Sequence, residues 1–117
     1  MVRIINKWEI YFCNLNPVQG SEQRGLRPVI VISNDDVNHN LPVSAIIPLS
    51  SIKPNDKIYP TEVKLSKEIT GLQKDSVAMI QQIRTVSHNR FNNKAGIITD
   101  SKHKKIILDT IRLYFEL

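Results

Sequence analysis

The chain has 117 residues, of which 41% are hydrophobic and 23% are charged, a balance typical of folded globular proteins and not of disordered chains. This length fits one domain, so we predict a single domain over residues 1–117. The net charge of +5 and the isoelectric point near 9.5 predict a surface that attracts polyanions, either nucleic acids or acidic proteins.

The sequence contains no membrane or export signal. No apolar run approaches the roughly 18–20 residues that a membrane-spanning helix needs, and the N-terminus has no uncharged apolar segment of the signal-peptide type. We therefore predict a cytoplasmic protein without membrane contact. The single cysteine, Cys13, lies in an apolar segment, where we predict a buried and unreactive thiol.

The first predicted strand covers residues 10–15, which are aromatic and apolar. Asn16-Pro17 ends it, because proline supplies no donor to a sheet. A polar loop follows, in which we expect the chain to turn through positive φ at Gly20 and Gly25.

The second predicted strand is an unbroken apolar run, residues 29–32, which is typical of a strand buried on both faces. Pro28 sets its start, and Arg27 stands directly before that proline. The pattern therefore places a guanidinium group at the mouth of a buried strand. Residues 34–40 are dense in turn formers and predict a connection, with or without one helical turn.

Two further strands are predicted in the middle of the chain. Residues 43–51 form the third, and Pro48 inside it predicts an edge position or a bulge. Residues 61–65 form the fourth, whose alternation places Val63 and Leu65 inward.

A fifth strand is predicted over residues 75–86, with a far end that carries Gln82 and Arg84 to the surface. Residues 89–96 predict a short turn or a helical turn.

From Thr99 the apolar spacing becomes helical, with Thr99 or Asp100 as the predicted N-cap. The predicted apolar face of this helix consists of Ile107, Leu108, Ile111, Tyr114 and Phe115. Five strands and one C-terminal helix without a β-α-β rhythm predict a mainly β (α+β) fold, a small bent antiparallel barrel with the helix packed on one side.

Two separated segments resemble one family of small toxins. The first comprises Leu15-Asn16-Pro17, Gly20-Ser21-Glu22-Gln23, Arg27-Pro28-Val29 and Ser33-Asn34-Asp35, and the second comprises Asp75-Ser76-Val77 and Gln82-Ile83-Arg84-Thr85. These motifs resemble the MazF/PemK/Kid family of type II toxin–antitoxin toxins, which are small ribosome-independent endoribonucleases. The resemblance implies an SH3-like antiparallel β-barrel of five or more strands with a C-terminal α-helix, the fold shared by MazF, PemK and CcdB.

The resemblance implies a catalytic site built from an arginine and a hydroxyl. It places the family's catalytic arginine at Arg27 and its catalytic threonine at Ser50, with Ser51 as the neighbouring alternative. Residue chemistry alone favours structural roles for both, Arg27 as an ion-pair partner at the surface and Ser50 as a strand-end hydroxyl. Glu22 matches a further family position, where it is either a base for the ribose 2′-hydroxyl or an ion-pair partner of Arg24 or Arg27.

The same resemblance implies contacts with single-stranded RNA, because amide and guanidinium groups suit base edges and phosphates. The residues assigned to RNA are Ser21, Arg24, Asn34, Gln82 and Arg84. The loop between Gly20 and Gly25 is then predicted to be a mobile flap over RNA or over an antitoxin. The family further implies a homodimer and a cognate antitoxin that holds the toxin in check.

The predicted chemistry needs no metal and no cofactor. His39, His88 and His103 are isolated in sequence, and no cysteine or carboxylate cluster has the spacing of metal ligands. A ribonuclease without metal can let the ribose 2′-hydroxyl attack the adjacent phosphorus, which gives a 2′,3′-cyclic phosphate and a 5′-hydroxyl.

Two other functions stay open at this point. Gyrase-inhibiting toxins of the CcdB type share the barrel but rely on a C-terminal Trp-Gly-Ile, whereas this sequence ends in Tyr-Phe-Glu-Leu. A non-catalytic RNA-binding module would keep the basic surface but would not need both Arg27 and Ser50.

Overall fold

The computed structural model describes residues 3–117, and antiparallel strands dominate it. The strands are Glu9–Asn14 (β1), Leu26–Val31 (β2), Val43–Ser51 (β3), Glu62–Leu65 (β4), Ser76–Met79 (β5), Arg84–Ser87 (β6) and Phe91–Ile97 (β7). The helices are Asp35–Asn40 (α1), Lys67–Thr70 (α2) and Ser101–Phe115 (α3), and 3₁₀ turns lie at Ile80–Gln82 and His88–Arg90. The predicted mainly β fold with a C-terminal helix is confirmed.

The central strand of the sheet is β3. The strand order is β4-β5-β3-β2-β1-β7, and β6 also pairs with β3. Two buried clusters cover the two faces: a helix-side core that contains Ile30 and Ile107, and a loop-side core that contains Cys13, Val29 and Ile46. Because consecutive strand residues point to opposite faces, β2 contributes to both cores, and its predicted burial on both faces is confirmed.

Pro48 lies inside the central strand and pairs on one side only, so the edge alternative predicted at this residue is confirmed locally and the bulge is not found. The β2–β3 register runs through it without a shift, with Val29 opposite Pro48. Ala45 directs its backbone groups toward β2, since its carbonyl accepts the Ile32 N–H at 2.9 Å. Alternation turns the Pro48 nitrogen to the other side of β3, between the segments that pair with β6 and with β5. Pro48 has no N–H to donate, but its nitrogen faces the side of β3 where no strand is paired. No hydrogen bond of the sheet is therefore lost.

The single long strand predicted over residues 75–86 is two strands. β5 pairs with residues 49–51 of β3, and β6 pairs with residues 43–46. The 3₁₀ turn Ile80–Gln82 joins them across the gap at Pro48. Both Gln82 and Arg84 are partly buried at this junction.

The turn predicted over residues 89–96 is wrong for most of its length, since residues 91–97 form the edge strand β7 against β1. Phe91 is the one fully buried residue of β7, and the register against β1 shifts twice. Gly96 lies so close to the α2 backbone that a Cβ atom would stand 2.1 Å from the Thr70 carbonyl oxygen. The strand β7 is held mainly by backbone hydrogen bonds to β1 and buries few side chains. Its sequence therefore shows no apolar alternation.

The predicted apolar face of α3 is buried over only part of its length. Asp100 is the N-cap, and its carboxylate accepts the His103 N–H at 2.9 Å. Ile107 is fully buried, whereas Tyr114 and Phe115 are 42% and 49% exposed. Within residues 3–117, no helix combines the length and the apolar character that crossing a membrane requires.

Glu9 is a buried carboxylate that joins β1 to β7. It accepts the Asn6 N–H at 2.7 Å and the Tyr11 hydroxyl at 3.0 Å, and it pairs with the Lys94 Nζ at 2.8 Å. Burial raises the pKa of Glu9, but these donors together outweigh burial and hold that pKa below its ordinary value of 4.5.

A Glu9→Gln variant is therefore expected to lose about 1.5–3 kcal/mol in the free energy of unfolding at pH 7, because three donors lose a charged acceptor. Since the pKa is depressed in the folded state, this stabilisation is complete above the ordinary value of 4.5 and disappears as pH falls through the lowered pKa. Urea unfolding of both proteins at pH 7 and at about pH 3 measures the difference. A difference that does not change with pH would contradict this account.

Candidate active site

Arg27 and Ser50 lie on the same face of the sheet, at the point where the pairing of β2 with β3 ends. The last registered pair is Val29 opposite Pro48, so the next residues on that face are Arg27 and Ser50. Direct partners in an antiparallel pair hold their Cβ atoms about 4.5–5.5 Å apart while the pairing continues. The two side chains therefore flank the opening between β2 and β3.

The residue beside Arg27 on the neighbouring strand β1 is apolar and unreactive. The registered partner of Arg27 on β1 is Cys13, which is fully buried in the loop-side core. Burial raises the pKa of the Cys13 thiol to about 11, so the thiol stays protonated near neutral pH. The predicted buried thiol is confirmed.

The guanidinium group of Arg27 is held by one of its nitrogens. Its Nε donates to the Arg24 carbonyl oxygen at 3.0 Å. Among residues 3–117 no carboxylate lies within ion-pair distance of Arg27, and its two Nη groups make no hydrogen bond. The surface ion pair that residue chemistry allowed is not formed. Forked N–H donors of this kind match the geometry of a phosphate.

The loop in front of Arg27 turns at its two glycines and is tied to the sheet. Gly20 and Gly25 have φ of 56° and 82°, as their positions in the sequence indicated. The Gln82 Oε1 accepts the Gln23 N–H at 3.2 Å, and the Gln82 Nε2 donates to the Ser21 carbonyl oxygen at 3.2 Å. The structure thus brings Gln82 and Ser21 together beside Arg27.

Glu22 closes a turn within this loop. Its Oε1 accepts the Gln19 N–H at 2.6 Å, and its own N–H donates to the Gln19 carbonyl oxygen at 3.2 Å. No ion pair joins Glu22 to Arg24 or Arg27, which was one of the two predicted roles. Arg24 is exposed, and its Nη2 donates to the Gly20 carbonyl oxygen at 2.8 Å.

Two more arginines hold the base of the loop. The Arg84 Nη1 donates to the Leu15 carbonyl oxygen at 3.3 Å. The Arg90 Nη1 donates to the carbonyl oxygens of Asn14, at 3.2 Å, and of Asn16. Two guanidinium groups thus bind three consecutive carbonyls at the end of β1.

Arg90 is a site residue that the sequence did not reveal. It lies in the polar turn His88–Arg90, where the pattern indicates only exposure to solvent. With Arg24, Arg27 and Arg84 it forms an arginine cluster around the loop, and no ion pair to a carboxylate is found for these four within residues 3–117. Their charges add at one edge of the sheet, where a polyanion is attracted.

Asn34 and Ser51 are placed differently. Asn34 is the N-cap of α1, with its Oδ1 accepting the Val37 N–H at 3.0 Å, and it follows the far end of β2 from Arg27. The structure therefore does not bring Asn34 to the arginine cluster. Ser51, one residue past Ser50, points to the opposite face and lines with Arg27 and Leu49 a cavity of about 460 Å³.

The histidines lie apart from this cluster. His103 interacts with the helix cap Asp100, and His88 is hydrogen-bonded to the buried Ser44 at 2.8 Å. Burial lowers the pKa of His88. Within the part of the chain that the structure describes, no three His, Cys, Asp or Glu side chains are grouped as metal ligands.

Comparison with known proteins identifies relatives along nearly the whole chain. Residues 6–115 match the PemK-like, MazF-like toxins of type II toxin–antitoxin systems. Endoribonuclease MazF of Staphylococcus saprophyticus is 38% identical over 103 residues, which cover 88% of this chain and 85% of that protein.

Solved structures share the fold. MazF from Deinococcus radiodurans has a TM-score of 0.82 at 19% identity, with 99% of this chain and 100% of that chain covered. An endoribonuclease in complex with its cognate antitoxin, from a mycobacterial species, has a TM-score of 0.75 at 17% identity and coverages of 97% and 96%. At these identities the likeness shows the fold, an antiparallel sheet with a C-terminal helix.

Proposed function

Because this chain belongs to the family of PemK-like, MazF-like toxins of type II toxin–antitoxin systems, we propose that it is a sequence-specific endoribonuclease that cuts single-stranded RNA without a metal ion. The observation that carries the proposal is the placement of Arg27 and Ser50 on one face, where β2 and β3 part. The relative from S. saprophyticus is named an endoribonuclease, which supports the same activity here.

The reaction is an internal transfer at phosphorus. The ribose 2′-oxygen loses its proton and bonds to the adjacent phosphorus, while the bond from phosphorus to the 5′-oxygen breaks and that oxygen takes up a proton. The products are a 2′,3′-cyclic phosphate and a 5′-hydroxyl. In-line attack needs a splayed backbone, which an A-form duplex hinders, so the substrate is single-stranded.

Arg27 and Ser50 act on the charge that develops in this step. The Nη groups of Arg27, which have no protein partner among residues 3–117, donate to the non-bridging oxygens of the phosphorane. The Ser50 hydroxyl donates to one of the same oxygens. Arginine stays protonated at working pH, so its role is charge stabilisation and not proton transfer.

Glu22 is the proposed acceptor of the 2′-hydroxyl proton. One carboxylate oxygen accepts the Gln19 N–H, and the group is exposed on the loop beside Arg27. In this arrangement the Gln19 N–H orients the carboxylate through one oxygen, and the second oxygen is the proposed proton acceptor.

RNA contacts are proposed for the loop and for the arginine cluster. Arg24 and Ser21 are exposed on the loop, and Arg84 and Arg90 carry positive charge to its base. Phosphate contacts of this kind position a strand, while sequence is read at base edges. Asn34 is left out of this surface, because its side chain caps α1.

The proposal includes a homodimer of single-domain chains that acts in the cytoplasm and is inhibited by a cognate antitoxin. One structural neighbour is a complex with its cognate antitoxin, and an acidic antitoxin segment fits the arginine cluster. Exposed apolar side chains such as Phe12 and Leu26, which are 38% and 61% exposed, support assembly with a partner.

Digestion of single-stranded RNA in the presence of EDTA tests the proposed function. We expect fragments with 2′,3′-cyclic phosphate and 5′-hydroxyl ends, and we expect the cognate antitoxin to stop their formation. Intact RNA with saturable binding would favour the non-catalytic module instead. Intact RNA together with inhibition of gyrase would favour a CcdB-type toxin.

A further inference from the structure

Gln82 uses its whole side-chain amide to hold the loop in front of Arg27. The amide oxygen accepts the Gln23 N–H, and the amide nitrogen donates to the Ser21 carbonyl oxygen, both at 3.2 Å. Gln82 lies in the 3₁₀ turn between β5 and β6, and both strands are paired to β3. These two bonds, the Gln82 latch, therefore tie the loop to the centre of the sheet.

The loop segment of residues 19–24 has few other ties. The Glu22 and Arg24 side chains bond only within the segment. Among the described residues, hydrogen bonds to this segment from the rest of the chain come from Gln82 and from Arg27. Gly20 lies near the start of the segment and Gly25 directly follows its end, both in positive-φ conformations with open space where a Cβ atom would stand, so we expect the chain to bend at these two points.

The latch reaches Arg27 through one residue of backbone. Gln82 holds Ser21 and Gln23, and the next carbonyl, that of Arg24, accepts the Arg27 Nε–H at 3.0 Å. A carbonyl held at this place fixes the guanidinium plane through Nε. The two Nη groups make no hydrogen bond within residues 3–117, so their N–H donors are available to a phosphate.

We propose that Gln82 is a positioning residue for Arg27, which holds the Arg24 carbonyl so that the guanidinium fork faces the scissile phosphate. This inference rests on the proposed function of Arg27. It replaces the expected contact between Gln82 and an RNA base, because both amide groups of Gln82 are occupied while the loop is closed.

The closed loop also contains an unfavourable group. The Gln23 Oε1 is buried and is the one such side-chain atom without a hydrogen-bond partner in the described part of the chain. An unsatisfied buried acceptor disfavours the conformation that contains it. This cost offsets part of the stabilisation that the latch provides, so we expect removal of the latch to shift the loop toward open conformations.

Gln81 supplies a matched control in the same turn. Its amide bonds to the Thr61 hydroxyl at 2.9 Å and to the Glu62 carboxylate at 3.1 Å, with no bond to the loop. In the absence of RNA, Gln82→Ala is expected to speed hydrogen exchange of the Gln23 amide by about tenfold or more, and Gln81→Ala to change it by less than about twofold. Equal exchange in the wild type and in Gln82→Ala would overturn the proposal.

Steady-state cleavage separates positioning from RNA contact. Gln82→Ala is expected to lower kcat by about 10- to 100-fold with little change in KM, because a misplaced Arg27 acts in the transition state. Gln82→Glu keeps the acceptor for the Gln23 N–H but loses the donor to the Ser21 carbonyl oxygen. Its kcat is therefore expected to lie between those of the wild type and Gln82→Ala. A higher KM with unchanged kcat would show a base contact and overturn the proposal.

The cleavage assay and the hydrogen-exchange measurement test the proposed function and the Gln82 latch separately. If the wild-type protein cleaves no RNA, the proposed function is wrong. The exchange rate of the Gln23 amide then still decides whether Gln82 anchors the loop.

Discussion

An Arg27→Ala variant is expected to cleave RNA with a kcat about 10²–10³-fold below that of the wild-type protein. The guanidinium group stands on the face of Ser50 where β2 and β3 part, and alanine leaves the phosphorane charge without its proposed main partner. The loss is to be measured under single-turnover conditions with saturating RNA. Stability is expected to change little, since the Arg27 side chain makes one hydrogen bond in the described chain.

Two further variants define what Arg27 supplies. Arg27→Lys keeps the charge but lacks the planar fork and the Nε donor that binds the Arg24 carbonyl, so it is expected to recover less than about a tenth of the activity. Arg112→Ala removes an exposed arginine that pairs with Asp109 on α3, and it is expected to stay within about twofold of the wild type. Full activity of Arg27→Ala would show that the catalytic centre lies elsewhere.

Ser50→Ala is expected to lower kcat by about 10²-fold, whereas Ser51→Ala stays within about twofold of the wild type. The two serines are neighbours on β3 and differ in the face to which they point. Ser50 lies on the face of Val29 and Arg27, because Arg27 and Ser50 each stand two residues beyond the last registered pair, Val29 and Pro48, and alternate residues of a strand share a face. The comparison therefore measures the effect of the face and not of the hydroxyl alone.

A reaction in the neighbouring cavity would give the opposite result for the two serine variants. Ser51 borders that cavity together with Arg27, so a reaction on that side would reverse the order of the two alanine variants. Ser50→Thr restores the family residue and keeps the hydroxyl, and we expect it to retain activity. Loss of activity in Ser51→Ala alone would move the proposed site to the cavity face.

Local patterns predicted the elements that burial controls. The apolar run of residues 29–32 is buried, and the alternation at Val63 and Leu65 places both side chains in the helix-side core. Asp100 caps α3 as one of the two predicted N-caps. In each case the side chains that determine the structure are neighbours in sequence, so the pattern contains the information.

Elements that depend on distant backbone were not predictable in the same way. β7 is held by pairing with β1, and its polar sequence shows no alternation. The break between β5 and β6 becomes intelligible only with β3 in place, because Pro48 faces the gap. Sequence periodicity contains no information about these pairing partners, β1 and β3.

The residues of the candidate site likewise fall into those that the sequence indicated and those that depend on distant contacts. The resemblance to known toxins assigned Arg27 and Ser50, and the fold places them on one face. The loop-binding roles of Arg90 and Gln82 join residues more than 50 positions apart, which no local pattern contains. Asn34 did have a local signal, since an asparagine before two acidic residues is typical of a helix N-cap, the role it has here.

The central claim is that RNA itself supplies the nucleophile while Arg27 and Ser50 stabilise the charge that follows. The most direct measurement compares two RNA oligonucleotides in EDTA, one all-ribose and one with a single 2′-deoxy nucleotide at the cut site. The account predicts that the all-ribose strand is cut to a 2′,3′-cyclic phosphate and that the deoxy strand stays intact at that bond. Cleavage of both strands at that bond with similar rates would contradict it.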